Sequence, residues 1–242
     1  MAPPSLKYVN KLRGKRILIF GATSGFGFAV AEAAIEHGAT VTLSGSKPER
    51  LTHAVERLKI SYGDIIRGDQ IKTVACDLGD LDNLTSHLTE LFNTVTDSGK
   101  NKLDHIVFTA GDAHRGPAKV LAGTEYLSNS PDASLTFTNG VSGHKPVKGW
   151  AVPAMAATAL EGLVRGLAVD LAPVRVNLVS AGPVSTEVLA SLPKEYVHMY
   201  AKETLVKRIS RPEDIAEAYI YIMKDGGITG TVLFSDGGRR LA

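Results

Sequence analysis

Arg16-Ile-Leu-Ile-Phe-Gly-Ala-Thr-Ser-Gly-Phe-Gly-Phe-Ala-Val-Ala31 opens with four apolar residues, Ile17 to Phe20, short and β-branched enough for a buried parallel strand. Gly21, Gly25 and Gly27 follow, and then Phe28, Val30, Ala31, Ala34 and Ile35 recur at helical spacing up to Gly38, a stop signal. The order is strand, glycine turn, helix. Glycines in such a turn let the chain reverse sharply, admit a phosphate close to the backbone and let the helix pack on the strand. The free N–H groups and the positive dipole end of the helix then face a pyrophosphate. A glycine triplet alone says little. At a strand end, opening a helix and followed by a second strand, it points to a bound dinucleotide.

Further along, Thr40-Val-Thr-Leu-Ser44 reads as the second strand, and Ser46-Lys-Pro-Glu49 matches a capping box with Pro48 in the first turn of a helix through Leu51, Val55 and Leu58. Ile71 to Cys76 is predicted as strand three, Leu81 to Val95 as helix, Leu103 to Thr109 as strand four and Leu135 to Thr138 as strand five. Val152 to Leu171 reads as a long helix started by Pro153, Val174 to Val179 as strand six, Pro212 to Met223 as helix and Gly230 to Phe234 as the closing strand. Strands alternating with helices over 1–242 imply one α/β domain, a doubly wound parallel sheet of the Rossmann type with helices on both faces.

The bulk properties exclude several classes. A chain of 242 residues that is 44% hydrophobic suffices for a single domain with a large core. A net charge of +2 and the lack of a basic stripe interleaved with aromatics speak against nucleic acid. Cys76, the single cysteine, excludes an intramolecular disulfide and suits a reducing compartment. Met1 to Arg16 has no apolar core of a secretory signal, and no run is read as membrane-spanning. A cytoplasmic protein with no membrane or metal partner is expected.

The spacing Gly21-x-x-x-Gly25-x-Gly27, after Leu12-x-Gly-Lys15, resembles that of the short-chain dehydrogenase/reductase family, with Phe20 where the family has Thr. The resemblance covers nearly the whole chain and implies a nicotinamide cofactor held by Gly21, Thr23, Ser24, Gly25, Phe26 and Gly27. It implies further contacts at Asp77-Leu78 after strand three, at Ala110-Gly111 after strand four and at Gly182, Pro183, Val184 and Thr186 after strand six. Asp77 reads equally as a helix cap. In NAD-preferring relatives an acid at the end of strand two binds the ribose 2′-OH. Here that stretch is Ser44-Gly45-Ser46-Lys47. Hydroxyls and an ammonium would welcome a 2′-phosphate that a carboxylate would repel, so Ser44, Ser46 and Lys47 point to NADP(H).

The family reduces carbonyls with a Ser and a Tyr-x-x-x-Lys pair, the Tyr giving the proton and the Lys lowering its pKa. Aligned through Leu160 to Pro173, this chain has Pro153 at the Tyr position and Ala157 at the Lys position. The Ser position falls at Asn139 or Gly140, with Ser142 slightly displaced. Three explanations stand open: nucleotide binding without chemistry, as a scaffold or sensor; carbonyl reduction with another acid, for which Asp112, His144 and Lys148 are near; or hydride transfer to a substrate that needs no proton, such as an iminium ion. The pattern also resembles a divergent branch of the family, fungal NADPH-dependent reductases of indole-alkaloid secondary metabolism, some of which template a Diels–Alder cycloaddition. In that reading Asp112 steadies the cation, and Val147 stands where a second acid would be sought. Trp150 is either a flat wall for substrate or a core anchor.

Two intervals depart from the ordinary pattern. From Gly111 to Leu135 there is about half the family's usual crossover, which supplies an active-site Asn and an oligomer contact; Ala118 to Tyr126 reads as a two-turn helix at most. Either the crossover around 112–134 is trimmed or a segment is missing from the sequence. A substrate lid is expected around 186–210, with Leu189, Leu192, Tyr196, Met199 and Tyr200 forming an apolar face for a bulky hydrophobic small molecule. The resemblance implies a homo-oligomer, dimer or tetramer.

Overall fold

The computed structural model describes residues 6–110 and 125–242. Among them β1 (Arg16–Phe20), β2 (Thr40–Gly45), β3 (Ile71–Ala75), β4 (His105–Phe108), β5 (Ser134–Gly140), β6 (Arg175–Ala181) and β7 (Val232–Ser235) form one sheet. Its order is β3-β2-β1-β4-β5-β6-β7, with every neighbouring pair parallel. The helices are α1 (Gly25–Glu36), α2 (Pro48–Tyr62), α3 (Leu84–Thr96), α4 (Ala151–Asp170), α5 (Glu187–Ala190), α6 (Lys194–Lys202) and α7 (Pro212–Lys224).

Successive strand residues feed opposite faces, which is why the strands read as unbroken apolar runs. Ile17, Ile19 and Val107 join α1, α2 and α7 in one core; Leu18, Phe20, Ile106 and Phe108 join α3 and α4 in the other. Strand order reverses between β1 and β4, and parallel α/β sheets bind ligands beyond the strand ends at that reversal. Phe20 pairs with Ser44 on one side and Phe108 on the other, so the loops after β1, β2 and β4 emerge side by side.

Local signals misplaced several helix starts. Lys47, without a side-chain cap, precedes α2, so the capping box expected from Ser46 does not form, although Pro48 does open the helix. The Asp80 carboxylate accepts from the Asn83 backbone and amide at 3.2 and 3.0 Å, and this turn holds α3 back to Leu84. Asn83 is its cap, so Asp77 is not. Pro153 is the third residue of α4, behind Trp150 as cap, and still in the first turn where an N–H has no partner.

A second correction concerns hydropathy. The sequence reading found no span-length run, yet α4, 20 residues with a mean hydropathy of 1.3, is long and apolar enough to cross a bilayer by composition. In the fold it lies on the sheet through Ala157, Glu161, Val164 and Leu167, leaving Val152, Met155 and Val169 exposed. Of the helix expected over 118–126, only Glu125 and Tyr126 are described; Tyr126 stacks on Phe92 at 5.0 Å and donates to Asn93 Oδ1 at 3.1 Å.

His105, buried under the strand starts with Nδ1 2.9 Å from Ser134 Oγ, titrates far from its ordinary value. Burial pushes its pKa from 6.5 down to about 3, helped by Arg175 and Lys15 and opposed by Asp104. The unfolded chain takes up this proton near 6.5 and the folded chain does not, so the contribution is whole above 6.5 and drains as pH falls towards 3. Wild-type stability in denaturant is expected to fall by up to about 1.4 kcal/mol per pH unit over that window. His105→Gln should flatten this slope; an unchanged slope would assign it to other groups.

Candidate active site

At the reversal point, β1 runs through Gly21 into α1. Gly25 has φ +52°, and a Cβ there would stand 3.3 Å from Thr186 Cγ2. A Cβ on Gly27 would lie 2.4 Å from the Gly21 carbonyl oxygen and 2.5 Å from Thr109 Oγ1. Only glycine permits this packing, and Thr109 closes it by donating to the Phe20 carbonyl at 2.7 Å. Ser24 caps α1 in extended conformation without a side-chain hydrogen bond, and the first turn carries no acid. The helix therefore presents uncapped N–H groups where the loop after β6 arrives with Thr186. Cradle and donors fit a dinucleotide pyrophosphate.

Beside this end lies a cavity of about 530 Å³, within the range of small-molecule pockets. Phe26, Thr109 and Ala110 line one side, and Pro183, Val184 and Thr186 the loop after β6. Gly182 lines it too, but its missing Cβ serves packing: one there would fall 2.6 Å from the Asp236 Cα. The α4 wall is Pro153, Ala156, Ala157 and Leu160, which bear no ionisable group. Asn139 also lines the cavity, donating to the Ala157 carbonyl at 3.0 Å while its own Oδ1 has no partner among the described residues.

A second cavity of about 190 Å³ lies at the other end, between Ser46, Cys76, Asp77 and His87. Asp77 accepts from the Gly79 N–H at 2.8 Å, stiffening the turn after β3, whereas Leu78 packs into the core beneath. Burial, with the Asp77 carboxylate adding to it, pushes the Cys76 thiol up to about 11, so it stands protonated. Ser46 and Lys47 are exposed here. A Cβ on Gly45 would meet Thr23 Cγ2 at 3.0 Å, so the position where an acid would read the ribose is already crowded. Ser44 corrects the sequence reading. It is still within β2, and its hydroxyl is sealed in the sheet without a partner among the described residues.

The acid candidates separate. Ser142 and Trp150 line the large cavity, Trp150 47% exposed and therefore wall rather than core anchor. His144 does not: its Nε2 lies 2.7 Å from Glu161 Oε1 and its ring packs edge-on against Phe234. Lys148 is exposed and is not among the described lining residues. Gly111 and Asp112 lie outside the described residues. Of the expected lid, Leu189, Leu192 and Tyr200 line the cavity, while Tyr196 and Met199 are exposed and absent from the described lining. Sequence reasoning missed Arg239, the one charged side chain in the described lining. The signal was Asp236-Gly237-Gly238 after β7, a turn able to bring the next residue back over the strand ends.

A family model for the SDR-like Rossmann domain matches residues 8–125 and 117–242, two pieces that meet inside the interval read as a short crossover. The short-chain dehydrogenase/reductase malC of Malbranchea aurantiaca is 39% identical, with 98% of this chain and 99% of that protein covered. That alignment runs over 266 positions against 242 residues here, so malC carries residues this chain lacks. The short-chain dehydrogenase/reductase fsr5 of Gibberella fujikuroi is 36% identical, with 98% of each covered. The solved structure of the MalC reductase/Diels-Alderase from Malbranchea aurantiaca matches with a TM-score of 0.85 over 97% of this chain and 99% of its own. The chain belongs to the short-chain dehydrogenase/reductase family, oxidoreductases that use a nicotinamide nucleotide on small-molecule substrates.

Proposed function

We propose that this chain is an NADP(H)-dependent reductase of secondary metabolism acting on a bulky apolar substrate whose reacting carbon is already cationic, an iminium ion. The observation that carries the reading is the α4 wall, where Pro153 and Ala157 stand in place of the proton-donating pair. A bound NADPH supplies hydride. The uncapped start of α1 would hold the pyrophosphate, Val184 and Thr186 the nicotinamide end, and Ser46 and Lys47 the 2′-phosphate. Trp150, Leu189 and Leu192 shape an apolar wall that favours a flat, bulky molecule. A ketone leaves an alkoxide that needs a proton, and general acid help is worth about 10²–10⁴-fold. An iminium leaves a neutral amine and needs none. Likeness to MalC, described as a reductase/Diels-Alderase, supports the reductase part of this reading.

Purified chain with NADPH and a panel of cyclic imines and ketones tests this: imines alone should turn over. Binding of NADPH with no turnover of either would instead favour a nucleotide-binding scaffold. Tyr200 is the one phenol in the described lining. Tyr200→Phe is expected to cost less than about tenfold with an imine; a loss of about 10²–10⁴ would make it a general acid and restore the carbonyl reading.

Cofactor choice is tested separately. Ser46→Asp is expected to weaken NADPH by about tenfold or more, a carboxylate beside a 2′-phosphate costing roughly 1–3 kcal/mol, with NADH little changed. Lys47→Ala should cost less, because its ammonium is exposed and screened. Equal affinity of the unaltered chain for both cofactors in a titration would end this assignment.

A further inference from the structure

Arg239 is placed with more care than a wall residue needs. Gly237 and Gly238, with φ +61° and +77°, turn the chain back after β7, and this turn packs against the loop after β6 at Gly182. Arg239 is only 7% exposed, yet it borders the cavity. Its Nε and Nη2 both donate to a single oxygen, Oε2 of Glu203, at 2.9 and 2.7 Å, and its guanidinium lies 5.3 Å from the Tyr200 ring centroid. Glu203 follows α6 directly, so the pair ties the lid to the C-terminal turn.

A guanidinium has five N–H donors in a fixed fork. Glu203 takes two, and Nη1 has no acceptor among the described residues. Nη1 is not among the fully buried unpartnered atoms, so on a side chain that borders the cavity it stays open to a ligand atom that can accept from it. The pair also selects the kind of acceptor. Glu203 already cancels the charge of Arg239, which leaves donors but little net attraction for an anion, and a second carboxylate would be repelled by the first.

We infer that Arg239 is a specificity residue that binds a neutral carbonyl oxygen of the substrate, an amide or lactam group that is not itself reduced, and holds it under the lid. This rests on the reading of the cavity as the substrate site. Glu203 is the positioning residue: it fixes the plane of the guanidinium and sets its preference for a neutral over an anionic acceptor.

Trp150, the only tryptophan of the chain, lines the same cavity and reports binding without any turnover. The probes are three polycyclic tertiary amines of one skeleton carrying a lactam carbonyl, a methylene or a carboxylate at the same position. In the NADP⁺-saturated wild type, quenching of Trp150 should show the lactam binding at least about tenfold tighter than the methylene compound. In Glu203→Gln/Arg239→Met, which removes both charges together, that preference should collapse to about twofold or less. Arg239→Lys, which keeps the ion pair but not the fork, should lose it as well. Glu203→Gln alone should strengthen the carboxylate compound by about tenfold, since the guanidinium charge is no longer cancelled. Circular dichroism and thermal midpoints identify any variant that fails to fold, and Glu203→Gln then carries the test. Equal binding of lactam and methylene compounds by wild type, or an undiminished preference in a folded Arg239 variant, overturns the inference and leaves the substrate site standing. Quenching by none of the three removes the substrate-site reading and the inference with it.

Discussion

Gly25→Val is expected to reduce NADPH affinity by at least about 100-fold. The wild-type residue sits at φ +52°, and the start of α1 leaves its N–H groups uncapped beside Thr186. A valine would put a branched side chain where the phosphate must approach and would press on Thr186, from whose Cγ2 even a Cβ is 3.3 Å distant. Losing two charge-assisted hydrogen bonds costs about 3–6 kcal/mol, which is the origin of the 100-fold figure. Stability should fall as well, by about 1–3 kcal/mol, because a β-branched residue is strained in the left-handed region. The two effects separate when affinity is titrated well below the variant's own thermal midpoint. Affinity within tenfold of wild type in a folded variant would place the phosphate elsewhere.

Restoring the missing pair, Pro153→Tyr with Ala157→Lys, is expected to slow imine reduction by tenfold or more and to yield little ketone reduction. Positions 153 and 157 lie one turn apart on α4 and both line the cavity, so the new side chains would point where the pair is needed. A lysine ammonium within a few ångströms of a cationic substrate, at an effective dielectric near 20, repels it by roughly 2–4 kcal/mol. Ketone activity should stay low because the pair would stand without the Ser and the Asn with which the family surrounds it; Gly140 and Asn139 occupy the Ser region. Pro153→Ala is the control, since a first-turn proline also favours the helix start. Undiminished imine turnover in the folded double variant would remove the cationic-substrate reading.

The glycine turn and the strands β1 and β4 were legible in the sequence because each depends on a few residues along one element, and the absent Tyr and Lys because the family resemblance fixes their positions. Ser44 and Ser46 were not separable that way: both are serines at a strand end, and the pairing of β2 with β3, which ends at Gly45, seals one hydroxyl and exposes the other. His144 stood in the sequence as a loop residue and one of three candidate acids; in the fold α4 packs alongside and Glu161 takes its Nε2. The capping box failed for a related reason, since the chain path out of β2, and not the residue types, set where α2 begins.

By itself the sequence determined the sheet and the nucleotide cradle, products of local periodicity and backbone permission, and through its family resemblance the missing Tyr-x-x-x-Lys pair. Only the tertiary structure decided what else borders the cavity. Tyr200 and Arg239, with Glu203 behind them, come from α6 and its end and from the last turn of the chain, and meet because the turn after β7 packs on the loop after β6. A side chain's direction and its charge partner are set by what folds against it across the sheet, and no spacing along the chain encodes that.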